Sequence, residues 1–432
     1  MRLGADKMKR VCVLGLGHIG LPTAILVAQS GYQVVGVDTD ENIVRMLNNG
    51  ISHLQEAGID ILLENVRNSG SFCAKKEPEE ADAYIIAVPT PFDEDSKQAD
   101  LRWVRSAMHM ISPFLRDCTL VIVESTIPPG ASERVLVPVL ETAGLKSGKD
   151  FNLVYCPERA MPSNLVSEMV YNDRIIGAPN KTSANAARTL YSSFVKGAIH
   201  ITTVRTAEMC KVIENTYRDV NIALANELAL IAEDVQIDIW QAIELANKHP
   251  RVNILRPGPG VGGHCIAVDP WFLCTGNAPS DLVRAARTIN DRMPDHVIAI
   301  VKQIVNIDPP NIAVFGIAYK GNVDDYRQSP SLRIIELAED QGWGVKVYDP
   351  VVKKTRDYPL LKLEEAVRDS DCIIIATDHD VFSNINPMAL APLMRHTNVI
   401  DTRNILDKEK WQKAGFTHRL LGRGAKLANE IS

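Results

Sequence analysis

The sequence predicts an α/β chain of two doubly wound units joined by a region of long helices. Three observations carry that prediction. The segment "KRVCVLGLGHIGLPTAILVAQSGYQVVGVDTD" runs through apolar strand, glycine turn, helical period and second apolar strand, the pattern of a parallel β-α-β unit. Towards the other end, "SPSLRIIELAEDQGWGVKVYDP" repeats the layout of "AILVAQSGYQVVGVD", and "SDCIIIATDHD" repeats that of "ADAYIIAVPTP". Between the two, apolar residues at Met209, Val212, Ile213, Val220, Leu224, Leu228, Ile231 and Val235 keep the spacing of one helix face, which is expected to be buried.

A chain of 432 residues exceeds one ordinary core, and the pattern divides it at 1–203, 204–305 and 306–432. With 46% hydrophobic residues and a net charge of −6, it is globular and lacks the basic excess that nucleic acid or an anionic membrane selects. No apolar run is long enough for a bilayer, and "MRLGADKMKR" has no signal-peptide core, so the cytoplasm is expected. Met8 stands directly before the first strand, which leaves residues 1–7 as an expected disordered extension. The eight cysteines are scattered without a CxxC pair, and Cys12 and Cys372 lie in apolar strand-like runs. Reduced thiols, most of them inert, are expected, with no disulfide framework and no metal site.

The first unit carries Gly15-x-Gly17-x-x-Gly20 between strand and helix, with Asp38 ending the next strand. Gly15 permits a tight turn, Gly17 lets backbone N–H groups approach a pyrophosphate at the helix N-terminus, and Gly20 lets helix pack on strand. This is a Rossmann-like dinucleotide fingerprint, with His18 and Ile19 in the same loop as cofactor contacts. The Asp38 carboxylate can accept both ribose hydroxyls and would repel a 2′-phosphate, which favours NAD over NADP. Further strands end in Thr90, Ser125 and Thr126, where a parallel sheet binds ligands; Thr90 and Thr126 are either nicotinamide and ribose contacts or ordinary turn residues.

The C-terminal unit lacks the full fingerprint. It offers Lys320 after its first strand and Arg327 seven residues later, which are either surface charges or partners for the phosphate of a different, substrate-borne nucleotide. On the intervening helix, Lys211, Asn215 and Arg218 form a polar stripe at i, i+4 and i+7, either a solvated face or a wall of a substrate cleft.

After that helix comes "RPGPGVGGHCIAVDP", a glycine-rich loop that delivers Cys265 and sets Asp269 four residues on. Such glycines allow close backbone approach to a ligand. The thiol is either a small buried side chain or a nucleophile activated by a neighbouring cation such as Lys211. Oxidising an alcohol needs no thiol, but an aldehyde yields a hydride only after a nucleophile has added to it. A thiolate meets that need as a thiohemiacetal, whose oxidation gives a thioester that water cleaves. A dinucleotide site and such a cysteine in one chain therefore point to an alcohol taken through to a carboxylate with two NAD. A single-step β-hydroxyacid dehydrogenase, or a protein that only senses NAD(H), would have no use for Cys265.

From "VCVLGLGHIGLP" to its C-terminal unit the sequence resembles the UDP-glucose/GDP-mannose dehydrogenase family. Within that family, "CPERAMP", "LANKHPRVNI" and "PGPGVGGHCIAVDPWF" resemble the branch acting on UDP-N-acetyl-D-mannosamine, with UDP-N-acetylglucosamine and UDP-glucose as alternative substrates. The resemblance implies an NAD-binding domain, a central helical domain that forms a homodimer, and a C-terminal domain gripping UDP. It implies that Cys265 is the nucleophile, that Lys211 and Asn215 stabilise an oxyanion, that Asp269 helps deprotonate alcohol or thiol, and that Glu158 handles the hydrolytic water. It further implies substrate contacts at Arg159, Ala160, Arg218, His249, Arg251, Gly262, Tyr319 and Lys320, an NAD contact at Arg327, and Arg251 acting across the dimer. Ser163 departs from the glycine that relatives commonly carry, and Arg423 and Lys426 are further basic residues near the C-terminus.

Overall fold

The computed structural model describes residues 8–54, 56–93, 95–160, 164–275 and 278–425, so residues 1–7, Ser163 and Lys426 lie outside the described part. It forms two units, Met1–Glu214 with Trp271–Gly276, and Asn215–Pro270 with Asn277–Ser432.

The first unit holds strands β1 (Arg10–Leu14), β2 (Gln33–Val37), β3 (Phe72–Lys75), β4 (Ala83–Ile86), β5 (Phe92–Asp93), β6 (Gln98–Ala99), β7 (Thr119–Val123), β8 (Phe151–Tyr155), β9 (Arg174–Gly177) and β10 (Ile199–Thr202). Six of them run parallel in the order β3-β2-β1-β4-β7-β8, the arrangement of a dinucleotide-binding sheet with its switch point between β1 and β4. β9 adds antiparallel to β8, and β10 runs parallel to β9. β5 and β6 form a separate antiparallel hairpin. The central strands are buried on both faces, which is why they read as continuous apolar runs. Val11, Val13, Ile85 and Leu120 pack into the core on one side of the sheet. Cys12, Leu14, Tyr84, Ile86 and Val121 pack on the other, as the two-residue period of a strand requires.

The second unit holds β11 (Asn311–Phe315), β12 (Gly344–Tyr348), β13 (Cys372–Ile375), β14 (Asn398–Asp401) and β15 (Thr417–Leu420). All pairs are parallel, in the order β12-β11-β13-β14-β15, the second common doubly wound arrangement. Ile312, Val314 and Ile374 face a core shared with Met293, Val297 and Val301 of the helix Asp281–Ile304. Ala313, Phe315 and Ile373 face the opposite core around Phe382 and Trp411.

The long helix spans Val204–Asp234, but its apolar stripe is not a buried face. Val212 is buried and Val220 and Leu228 are half-buried, whereas Met209, Ile213, Leu224, Ile231 and Val235 are exposed. The buried positions are taken by Ala207, Ala223, Ala225, Ala229 and Ala232. Small side chains let a helix backbone approach its neighbours, so the alanines face inward and the bulky residues outward. A pattern that ranks residues by size and hydrophobicity points to the wrong side.

Candidate functional site

Gly15 has φ +87°, a left-handed conformation that glycine adopts without strain, and its N–H donates to Val37 O at 2.8 Å. This hydrogen bond folds the β1 turn against the end of β2. A side chain at Gly15 would meet Ala87 O at 2.7 Å, and one at Gly20 would meet Gly15 O at 1.7 Å, whereas one at Gly17 would meet nothing within 4 Å. The first and third glycines are therefore demanded by packing. The second is needed only if something outside the chain approaches it. Gly20 opens the helix Gly20–Gln29, whose N-terminal N–H groups suit a pyrophosphate. Asp38 follows β2 directly, half-buried, and its carboxylate accepts Leu16 N at 3.0 Å and Asp40 N at 2.9 Å. Thr90 Oγ1 is buried without a hydrogen-bond partner, while Thr126 is half-buried and the neighbouring Ser125 Oγ donates to Val88 O at 2.7 Å. His18 is exposed and Ile19 half-buried in the same loop. Glycines, acid and orphaned hydroxyl together fit a dinucleotide.

The second unit repeats this turn with a different use of its acid. Gly316, at φ +86°, donates to Tyr348 O at 2.8 Å, as Gly15 does to Val37. Asp349 follows β12 as Asp38 follows β2, yet it is buried and accepts from Ile317 N, Ala318 N, Val351 N, Val352 N and the His379 ring. Burial raises its pKa, but the His379 hydrogen bond and the backbone donors outweigh this and hold the carboxyl below its ordinary range. Thr377 Oγ1 donates to Ala318 O, and Asp378 accepts Gly321 N. The loop carrying Tyr319 and exposed Lys320 is thus braced by its own sheet.

The cysteine loop rests on the same unit. Gly263 N donates to Gln328 O at 3.2 Å; added side chains at Gly262 and Gly263 would strike Gln328 O at 2.4 Å and the Tyr319 ring at 2.8 Å. Close backbone contact with Tyr319 and the 326–330 turn is what these glycines serve. After Cys265 the chain turns, Asp269 N donating to Cys265 O at 2.8 Å. Cys265 is the exposed cysteine of the eight; Cys12, Cys156, Cys274 and Cys372 are buried and Cys73, Cys118 and Cys210 half-buried. Burial pushes the Cys12 and Cys156 thiols up to about 12, so they are inert near neutral pH. Asp269 is buried and accepts from Asn215 Nδ2, and Arg218 donates to Asn215 Oδ1. Asn215 is buried and Arg218 half-buried, so this part of the stripe is not a solvated face. Arg327 pairs with Asp325 through two hydrogen bonds of 2.9 and 2.7 Å, and His264 lies 3.9 Å from the same carboxylate. His249 and Arg251 are exposed on the segment after the helix Ile239–Ala246, Arg251 N donating to His249 Nδ1 at 3.3 Å. Arg423 lies 3.5 Å from Asp238.

In the first unit, Glu158 follows β8 and is buried; its Oε1 accepts Arg159 N at 2.6 Å and Ala160 N at 2.8 Å. Lys211 Nζ, half-buried, donates to Glu158 O at 2.9 Å. The Arg159 guanidinium is held by Glu214 at 2.8 Å and by Asp173 O.

The family model of the UDP-glucose/GDP-mannose dehydrogenase NAD-binding domain matches residues 9–195, its central domain residues 205–292 and its UDP-binding domain residues 313–408. The chain belongs to the UDP-glucose/GDP-mannose dehydrogenase family. This dehydrogenase is 46% identical to the UDP-N-acetyl-D-mannosamine dehydrogenase of Methanococcus maripaludis, over 98% of this chain and 99% of that one. It is 41% identical to the NDP-N-acetyl-D-galactosaminuronic acid dehydrogenase of Ralstonia solanacearum, over 92% and 96%. Among solved structures, the UDP-D-ManNAc dehydrogenase of Pyrococcus horikoshii superposes with a TM-score of 0.89 at 43% identity, covering 96% of this chain and 99% of that one. The dehydrogenase has an NAD-binding domain of this family, and Gly15, Gly17, Gly20, Asp38 and Thr90 are the residues there that could hold the cofactor. Among its described residues, no helix is long and apolar enough to cross a membrane.

Sequence reasoning missed the groups behind Glu158. Arg174 opens β9 and Glu124 follows β7, and both are buried. The signal was a charge at the end of an apolar run, in "DRIIG" and "VIVES", where no exposed strand face could hold it.

Proposed function

We propose that the dehydrogenase oxidises the C6 alcohol of UDP-N-acetyl-D-mannosamine to the carboxylate, reducing two NAD for each sugar. The observation that carries this reading is Cys265, exposed at the end of a glycine loop seated on Tyr319, in a chain that also has an NAD-binding domain. The names of the relatives support the sugar. NAD, when bound, accepts the hydride of each oxidation. Asp269 takes the hydroxyl proton through water as the alcohol becomes aldehyde. The Cys265 sulfur forms a C–S bond with the aldehyde carbon, and Lys211 with Asn215 holds the negative oxygen until the second hydride leaves and a thioester remains. Glu158 orients the water whose oxygen adds to the thioester carbonyl carbon; the bond from that carbon to sulfur breaks, the water's protons pass to solvent, the sugar departs as its carboxylate and Cys265 is left as the thiolate.

Arg159, Ala160, Arg218, His249, Arg251, Gly262, Tyr319 and Lys320 bind the sugar nucleotide, while Thr126, His18, Ile19 and Arg327 add to the NAD contacts of the first loop. Residues 1–203 serve NAD, 204–305 carry the cysteine loop and dimer surface, and 306–432 hold UDP. The exposed stripe of Met209, Ile213, Leu224 and Ile231 supports pairing with a second copy, across which Arg251 acts. Eight cysteines with no disulfide among them support the cytoplasm as its compartment.

The test is NADH formed per sugar consumed, with UDP-N-acetylmannosamine, UDP-N-acetylglucosamine and UDP-glucose in separate reactions. Two NADH from the mannosamine sugar alone is expected. Two from another sugar would move the substrate, and one would replace the mechanism with a single-step oxidation.

A further inference from the structure

Behind Glu158 lies a cluster of buried polar groups joined by ion pairs and hydrogen bonds. Glu158 Oε1 is occupied by the backbone N–H groups of Arg159 and Ala160, at 2.6 and 2.8 Å. Its other oxygen, Oε2, lies 2.5 Å from Arg174 NH2, in an ion pair whose side chains are 3% and 5% exposed. The second Arg174 nitrogen, NH1, lies 3.7 Å from Glu124 Oε1. Glu124 is in turn fixed by Tyr191 Oη, which donates to Oε1 at 2.7 Å, and by Thr23 Oγ1, which donates to Oε2 at 3.0 Å. The Arg174 guanidinium stands 5.0 Å over the Tyr191 ring and 6.0 Å over that of Phe194, so its plane is set by aromatic faces.

A guanidinium between two carboxylates in a buried interior is costly unless its geometry is fixed, and a hydrophobic replacement is often no worse for stability. Stability alone therefore gives this cluster no reason to exist. The planar fork of arginine faces two carboxylates with its donor directions fixed, whereas the rotatable ammonium of lysine does not impose a direction on either. Thr23 belongs to the helix Gly20–Gln29, the helix that meets the dinucleotide, so the set runs from that helix to the loop after β8.

We propose that Arg174, held by Glu124, is a positioning residue that fixes the carboxylate of Glu158 for hydrolysis of the Cys265 thioester. This rests on the reading of Cys265 and Glu158 given above. Arg174 touches neither substrate nor cofactor; it decides where Glu158 Oε2 stands and leaves both hydride transfers alone.

The consequence is specific to one step. Arg174→Lys and Arg174→Gln should form the first two NADH per active site at close to the wild-type rate and then turn over about 10–100-fold more slowly, as misplacing a reacting group by up to about 1 Å does. Intact-mass spectrometry during that slow phase should find the protein heavier by the uronyl-nucleotide acyl group, bound through Cys265. The glutamine variant keeps a donor towards Glu158 and covers the case in which the lysine variant does not fold. Thermal unfolding and NAD titration accompany both. A burst that slows in step with turnover, without adduct, would make Arg174 a structural residue only and overturn the proposal, as would wild-type turnover. Glu158→Gln separates the two levels of inference. If it accumulates the adduct and the Arg174 variants do not, the positioning proposal fails and the thioester mechanism stands; if wild-type protein gives no second NADH, the mechanism itself fails.

Discussion

Replacing Gly17 by alanine separates a glycine kept for the fold from one kept for a ligand. A Cβ at position 17 meets no protein atom within 4 Å, and the residue has no left-handed φ to strain. The change should therefore alter stability by no more than about 0.5 kcal/mol, like other surface substitutions. In the proposed site, the methyl group would occupy the open space before the N–H groups of the helix Gly20–Gln29, where the pyrophosphate is expected. A hydrogen bond to a charged group contributes about 1.5–3 kcal/mol, so losing one weakens NAD binding about 10- to 150-fold. Gly20→Ala is the contrasting case. Its Cβ would lie 1.7 Å from Gly15 O, and both are backbone-borne, so overpacking should cost upwards of about 3 kcal/mol. At roughly 2–4 °C per kcal/mol for a domain of this size, its Tm should fall by about 6 °C or more. Calorimetric titration with NAD and thermal unfolding of both variants make the comparison. NAD affinity within twofold of wild type in a folded Gly17→Ala protein would refute the cradle. So would loss of affinity and stability together.

Two further outcomes are expected. Burial pushes the Glu124 carboxyl up to about 7 from an ordinary 4.5. Between these values the folded state holds a proton the unfolded state has released, so stability present at acid pH is lost as pH rises towards 7, by on the order of 3 kcal/mol. Urea unfolding of Glu124→Gln from pH 4.5 to 8 should lack this decline, and a decline equal to that of wild type would refute the assignment to Glu124. On the long helix, Leu224→Glu with Ile231→Glu alters side chains that are 46% and 51% exposed, so the chain should stay folded but sediment as a monomer, against the dimer expected of wild type. A wild-type monomer would remove the stripe from any interface.

The parts of the fold that depend on period and glycine chemistry are legible in the sequence. The β1 turn, Asp38 and both parallel sheets follow from local pattern, because the central strands are buried on both faces and the glycine turns have a steric requirement. The antiparallel addition of β9 and β10 is not legible, since "RIIG" and "IHIT" are too short to declare direction. The orientation of the long helix is opposite to what its apolar pattern predicts, for a different reason. Ala225 and Ala229 face inward because they are small, a property that hydrophobic ranking discounts. Arg174 and Glu124 escaped notice because a buried ion pair is a property of two strands at once, and neither member has a motif.

The two turn-bearing sheets end their second strands with the same residue put to opposite uses. Asp38 keeps part of its surface towards solvent, while Asp349 is saturated by five donors from its own chain. A carboxylate with every lone pair spoken for cannot recognise a ribose. The later sheet has therefore given up its power to choose a dinucleotide and received a stiff shelf in exchange. Shared topology thus says little about which nucleotide each half accepts: one aspartate keeps part of its carboxylate open to solvent, and its counterpart's is taken up by the protein.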